Sequence, residues 1–494
     1  MFDRAWMLII MTTVATSVLM VRSFPEADKV KSLPGQSDVS FQQFAGYVAV
    51  DDNNNRALFY YFVEAQTNPA SKPLVLWLNG GLGCSSVGVG AFTEHGPFLT
   101  NQGQAIVQNQ YSWNKVKDNP SLSLAVANIL YVESPAGAGF SYSLNLSFYK
   151  TVNDKVTARD SLVFLQRWFA KFPEYTNRDF YITGESYAGH YVPQLAELIV
   201  KSKVNFNLRG IALGNPLLDL DTDMNAVDEY YWSHGIISDY AYKISTSLCN
   251  SSRRYRENFS GHHSTDCLVA AQKVSEEYSS TLLIDKYYVI GDRCLSYNLS
   301  QASFLSEMLN LGTFRLRKSS HNVQQIEDPT DQMKQPIDEC NLKYSEMYLN
   351  RKDVQKALHA RLVGTTDYRL CNKILQTNYE RSDIEIPTTD VIGFLVKSGL
   401  RVTVYSGDQD SVVPFMGTRR LIDGLAKKLA LKTTLPYTPW ILDNQVGGWT
   451  QVYGNQVTYA TIRGASHETP ATQPRRSFVL FNAFVEGKPL PKAS

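Results

Sequence analysis

The stretch Gly184-Glu185-Ser186-Tyr187-Ala188-Gly189 constrains what this chain can fold into more than any other. Residues 178–183 before it read as a strand, and residues 190–200 after it read as a helix. Passing from strand to helix in so few residues takes a sharp turn flanked by small side chains. Such a turn lifts the serine oxygen clear of the sheet and sets it beside a helix N-terminus, where negative charge is stabilised. The pattern is Gly-x-Ser-x-Ala-Gly rather than Gly-x-Ser-x-Gly, so a serine in an ordinary strand-to-helix turn is the competing reading.

The surrounding pattern places the turn in an α/β chain. Leu74-Val75-Leu76-Trp77-Leu78 and Asn128-Ile129-Leu130-Tyr131-Val132 are continuous apolar runs, as buried strands require. Residues 210–215 and 402–405 behave alike. Between them a helix starts near Asp154, its apolar positions Ala158, Leu162, Leu165, Phe169 and Phe172 spaced by four, three, four and three, and Pro173 closes it. Residues 41–63 alternate around Asp51-Asp52-Asn53-Asn54-Asn55, a hairpin signal. The expected fold is a mixed, mostly parallel sheet with helices on both faces. From 219 to 340 buried-strand runs disappear while Tyr, Ser and Asn accumulate, which reads as a mainly helical, disulfide-stapled insertion. Its stretch 309–338 is polar and aperiodic, an exposed linker open to proteolysis. The core then divides into residues 24–218 and 341–494.

Composition narrows the function classes. The 494 residues are 44% hydrophobic with a net charge of +1, which argues against nucleic acid as a partner, because phosphate binding needs a basic excess. Residues 5–21 are apolar behind Arg4 and give way to Arg22-Ser23, so residues 1–23 read as a cleaved secretory signal. An uncleaved anchor is the alternative, but the run falls short of the roughly 20 residues a bilayer demands, and no stable membrane insertion is expected. Export suits the even count of six cysteines, Cys84, Cys249, Cys267, Cys294, Cys340 and Cys371, and the four Asn-x-Ser sequons at Asn145, Asn250, Asn258 and Asn298. The destination is the cell exterior or a vacuole. With no Cys-x-x-Cys spacing and no ligand cluster, neither metal nor cofactor is expected.

A serine nucleophile needs a base, and the base needs an orienting acid. In α/β-hydrolases these follow in the order Ser, Asp, His, each on a loop after a strand. Asp410 and His467 meet that demand. His95 and His190 lie upstream of or inside the elbow helix, His234, His262, His263 and His321 fall in or beside the insertion, and His359 follows a helical pattern. Of the two acids in Ser406-Gly407-Asp408-Gln409-Asp410, Asp408 suits backbone groups of its turn better, leaving Asp410 for the histidine.

With Trp77-Leu78-Asn79-Gly80-Gly81 and Gly464-Ala465-Ser466-His467-Glu468-Thr469-Pro470, these motifs resemble the serine carboxypeptidase family, nearly throughout from residue 41. The resemblance implies an α/β-hydrolase fold and a peptidase acting on the C-termini of peptides or proteins. It implies Ser186, Asp410 and His467 as triad, and the backbone N–H groups of Gly81 and Tyr187 as oxyanion hole. Asn79, Gly80, Glu94 and Glu185 would hold the substrate's terminal carboxylate, and Glu468 would contact the leaving residue unless it is simply solvated. Acids facing a carboxylate must share protons, so kcat/KM is expected to fall between mildly acidic and neutral pH. The implied disulfides are Cys84–Cys371, Cys249–Cys267 and Cys294–Cys340; spacing alone leaves fifteen pairings open. Some relatives excise the region matching 309–338.

Two departures bear on activity. The family has proline where this chain has Leu82, which frees φ in the oxyanion loop. Residues 116–125 look like an insertion before the strand that leads to Glu133. The rival readings are an acyltransferase of the same family, using the same covalent intermediate, and a non-catalytic relative. Oligomeric state stays open, a homodimer included.

Overall fold

The computed structural model describes residues 25–115, 126–294 and 339–492. Its strands are β1 (Gln43–Asp51), β2 (Arg56–Val63), β3 (Leu74–Leu78), β4 (Phe98–Asn101), β5 (Ala105–Gln108), β6 (Asn128–Val132), β7 (Tyr142–Ser143), β8 (Phe180–Glu185), β9 (Leu208–Gly214), β10 (Arg401–Gly407), β11 (Thr433–Leu442), β12 (Gln445–Tyr453) and β13 (Val457–Ile462). The large sheet runs β1-β2-β6-β3-β8-β9-β10-β13-β12-β11, with β7 on β2; β4 and β5 form a separate ribbon. From β6 through β3, β8, β9 and β10 to β13 every pairing is parallel, while β1, β2, β12 and β11 add antiparallel edges.

The continuous apolar runs are explained by burial on both faces. In β2, Leu58, Tyr60 and Phe62 enter one core, and Phe59, Tyr61 and Val63 enter the other. β3 divides likewise, Leu74, Leu76 and Leu78 against Val75 and Trp77. Helix α1 (Asp154–Lys171) starts where the Asn153 side chain accepts the Val156 N–H at 2.9 Å, and α2 (Ala188–Ser202) packs beside it on the first face. The α1 stripe is wider than its spacing suggests. Phe164 and Trp168 are buried while Leu162 is only half-buried, because the helix meets both the sheet and α2. Pro193 inside α2 cannot bond the Gly189 carbonyl; the Thr388 hydroxyl donates to that carbonyl instead, at 2.9 Å.

After β9 come α3 (Leu220–Ser233), α4 (Asp239–Leu248), α5 (Ser251–Ser260) and α6 (Thr265–Ser280), and Cys249 is joined to Cys267 between the second and fourth of these. The hairpin β11–β12 has no counterpart in the sequence reading. Pro436 and Pro439 mask β11 as a strand, and they are tolerated because it lies at the sheet edge. β6 keeps its register with both β2 and β3 although it follows residues 116–125. The expected signal segment 1–23, the 116–125 insertion, the 309–338 linker and Asn298 lie outside the described residues.

Candidate active site

The carboxyl ends of the parallel strands all point to one edge of the sheet, where α/β folds place their sites. Asn79 directly follows β3, Glu185 ends β8, Ser186 turns into α2, and Asn215 directly follows β9. Asp410 lies just past β10 and His467 just past β13. These strands are consecutive neighbours, so residues hundreds of positions apart converge.

Ser186 has φ +62°, in the left-handed region that costs a side-chain-bearing residue energy. Three backbone bonds hold it there. Its N–H donates to Gly214 O (3.0 Å), and its carbonyl accepts from Gly189 N–H (2.9 Å) and Leu217 N–H (3.0 Å). Behind the turn, buried Asp154 accepts from Tyr379 Oη (2.7 Å), Gln194 Nε2 (2.8 Å), His190 Nδ1 (2.9 Å) and Tyr187 Oη (3.3 Å), while the Tyr187 ring stacks on His190. Burial alone would raise the Asp154 pKa, but His190, Tyr379 and Gln194 hold it below the usual range. Sequence reasoning set His190 aside as a base and missed that it braces the elbow.

His467 Nδ1 lies 2.7 Å from Asp410 Oδ2, which assigns its proton to that nitrogen and leaves Nε2 as the free acceptor. Asp410 is fully buried and also accepts from Asn215 Nδ2 (2.8 Å), Val412 N–H (2.7 Å) and Val413 N–H (3.2 Å). Asn215 was not legible in the sequence; it closes β9 and reaches Asp410 only because β9 and β10 are adjacent. Asp408 accepts the Gly464 N–H at 2.6 Å, outside its own turn. The His467 N–H donates to Tyr287 O (2.8 Å), and the Tyr287 ring stands edge-on to the imidazole. His467 Nε2 is buried with no hydrogen-bond partner among the described residues, and His467 and Ser186 line one pocket of about 40 Å³. Burial pulls the His467 pKa down, but Asp410, with smaller help from Glu468 and Glu94, brings it net above its ordinary value.

Three carboxyls crowd this pocket. Asn79 Nδ2 donates to Glu185 Oε1 (2.7 Å) and Glu94 Oε1 (3.2 Å), and its Oδ1 accepts from Trp77 Nε1 (2.6 Å). The Asn79 amide thus joins the two acids and lines the pocket. Glu94, at the end of the wide-turned helix Ser86–Glu94, stands behind Asn79, while Glu185 and Glu468 line the pocket. Burial pushes Glu94 up to about 8 and Glu468 up to about 7. Burial and then repulsion from Glu94 lift Glu185 well above the carboxylate range, as expected where two buried acids share one amide donor.

The 79–84 loop presses against the elbow. A Cβ on Gly80 would come within 2.8 Å of Glu185 O and 2.9 Å of Ala188 N, and nearer still to Tyr187 N. Gly81 has φ +109°, and a Cβ there would strike Cys84. The Leu82 side chain is buried in the core, the Cys84 N–H donates to Gly80 O (3.1 Å), and Cys84 is bonded to Cys371. Packing and a cross-link thus restrain a loop that has no proline at 82. The third disulfide is Cys294–Cys340, so the structure holds all three implied pairs. Of the sequons among the described residues, Asn145 is exposed and Asn250 and Asn258 are half-buried.

A family model described as serine carboxypeptidase matches residues 34–487. Serine carboxypeptidase-like 45 of Arabidopsis thaliana is 52% identical over 483 residues, 97% of this chain and 95% of that protein. Serine carboxypeptidase-like 46 of the same plant is 50% identical over 481 residues, covering 97% and 96%. The crystal structure of Kex1(delta)p, a prohormone-processing carboxypeptidase from Saccharomyces cerevisiae, superposes with a TM-score of 0.65 at 22% identity, over 94% of this chain and 95% of that one.

Proposed function

Because this chain belongs to the serine carboxypeptidase family, we propose that it releases C-terminal residues from peptides through an acyl-enzyme on Ser186. The observation that carries the reading is the pair Glu94–Glu185 held by one asparagine amide, with Glu185 and Asn79 lining the pocket that Ser186 shares with His467 and Glu94 behind them. In this reading His467 Nε2 takes the Ser186 hydroxyl proton as Oγ attacks the scissile carbonyl. The Gly81 and Tyr187 N–H groups donate to the developing oxyanion, and the imidazolium returns its proton to the departing amine. Water then repeats the sequence to release the acyl group. The leaving residue's carboxylate binds against protonated Glu185 and the Gly80 N–H.

That binding sets the pH dependence. A carboxyl with a raised pKa is neutral below it and repels the substrate's carboxylate above it. kcat/KM for a blocked dipeptide is therefore expected to fall as Glu468 and Glu94 ionise, at about 7 and about 8. On the acid side His467 must stay unprotonated, and the help Glu468 and Glu94 give to its proton disappears as they become neutral. The neutral acids thus extend the working range downward. Glu94→Gln and Glu468→Gln are each expected to remove part of the upper limb, and a C-terminally amidated peptide should lack it; a limb unchanged in all three would remove the carboxylate assignment.

The deciding experiment is hydrolysis of a blocked-dipeptide panel, run beside a glucose ester with an alcohol acceptor and beside fluorophosphonate labelling. Dipeptide turnover with labelling at Ser186 is expected. Acyl transfer without peptide hydrolysis would identify an acyltransferase, and folded protein that takes no label would identify a non-catalytic relative. Routing through the secretory pathway fits the three disulfides. Among the described residues no helix is long and apolar enough to cross a membrane.

A further inference from the structure

The catalytic pocket is small and open to one side, so a peptide longer than the reacting residues must continue onto a neighbouring surface. A groove of about 550 Å³ adjoins it, and Cys371 lines both. One layer of chain separates the two spaces. Residues 370–372 run along the 83–85 segment, with Ser85 N–H donating to Leu370 O (2.7 Å) and Asn372 N–H to Gly83 O (3.2 Å). The groove's charge is one-sided, since Arg361, Arg369 and Lys373 face a single acid, Asp367. Arg369 is committed to Glu346 at 2.9 Å. Arg361 and Lys373 have no carboxylate partner among the described residues. The Arg361 guanidinium lies about 5.4 Å from the Tyr47 ring centre and 5.5 Å from that of Tyr142, and donates to Tyr142 Oη (2.8 Å). An arginine fixed by aromatic rings and left without an acid is pre-organised for an incoming carboxylate. Leu146 and Ile374 supply an exposed apolar rim.

We propose that this groove binds the part of a peptide substrate N-terminal to the scissile bond and selects for acidic side chains there, with Arg361 and Lys373 as the recognising groups. The assignment rests on the carboxypeptidase reading. The wall shared with the catalytic pocket at Cys371 puts the groove within reach of a bound peptide and favours the substrate's own chain over a separate anionic ligand. Neither basic group touches the reacting atoms, so the groove acts on KM for long substrates and leaves short ones untouched.

The test compares a blocked dipeptide with the same dipeptide extended at its N-terminus by four glycines or by four glutamates. At low salt the glutamate extension is expected to lower KM about threefold to fivefold per basic head relative to the glycine extension. Lys373→Glu and Arg361→Gln should each remove part of that gain while leaving dipeptide kcat/KM unchanged. About 0.5 M salt should remove it too, as screening shortens to about 4 Å. A gain that survives in the double variant, or no gain in the wild type, overturns the proposal. If the dipeptide itself is not hydrolysed, the carboxypeptidase reading fails separately. Fluorescence anisotropy of a labelled glutamate-extended peptide then decides for the groove. Binding weakened by the two variants supports the site, and unchanged binding overturns it.

Discussion

Ser186→Ala is expected to lower kcat/KM for a blocked dipeptide by about 10⁴-fold or more while the thermal midpoint stays within a few degrees. In the proposed mechanism the Ser186 oxygen is the bond-forming atom, so the loss is large, and the remaining oxyanion donors and binding groups recover only residual catalysis. The fold is spared because the three bonds that pin the turn are all made by the Ser186 backbone. Asp410→Asn should approach the same loss by a different route. An amide at 410 presents an N–H to His467 Nδ1, which moves the imidazole proton to Nε2, the atom that must accept from serine. The same amide confronts the Val413 N–H and the Asn215 amide, which share Oδ2 with His467, while Oδ1 still accepts from Val412, so this variant should lose some stability as well. Activity of Ser186→Ala above about a hundredth of wild type would remove the serine mechanism.

Gly80→Ala is expected to cost about 10²- to 10³-fold in kcat, more than any other single methyl in the site. The added carbon would meet backbone atoms of 185, 187 and 188, which cannot rotate away as a side-chain tip would. The 79–81 loop and the elbow must then separate. In the proposed mechanism the Gly81 and Tyr187 N–H groups have to reach the same oxygen, within about 0.2 Å of their ideal hydrogen-bond distance, so a shift of even 1 Å disables one of them. Gly424→Ala is the matched control. It lies in the helix Phe415–Lys428 with nothing near its would-be Cβ, and should add up to about 1 kcal/mol of stability without changing kcat. Equal kcat for Gly80→Ala and wild type would show that the loop does not supply an oxyanion donor.

The pH dependence illustrates how far reading residues alone can go. Acids facing a substrate carboxylate imply shared protons, and the family resemblance supplied that set as Asn79, Gly80, Glu94 and Glu185. It did not fix where the limb falls. Burial pushes Glu94 up to about 8 and Glu468 up to about 7, which places the expected fall in kcat/KM toward the neutral end of the interval, mildly acidic to neutral, that the resemblance implied. Burial is the largest cause for both, and the depth of a side chain is a property of the assembled fold. Asn79 changed in a similar way. It was expected to hold the substrate; it lines the pocket, and its amide also joins the two glutamates, a link no segment of the sequence shows.

By itself the sequence determined the α/β class, the strand–serine–helix turn, and the order in which acid and histidine follow it. These are local properties, carried by apolar runs of strand length, helical spacing and small residues at a turn, and they extend over only a few positions. Only the tertiary structure decided which strand ends are neighbours. That adjacency brings Asn215 to Asp410, sets Asp154 and His190 behind Tyr187, and puts Gly80 against the elbow. Strand order is chosen by how the whole sheet buries its two faces, so these contacts have no signature within any one segment of the chain.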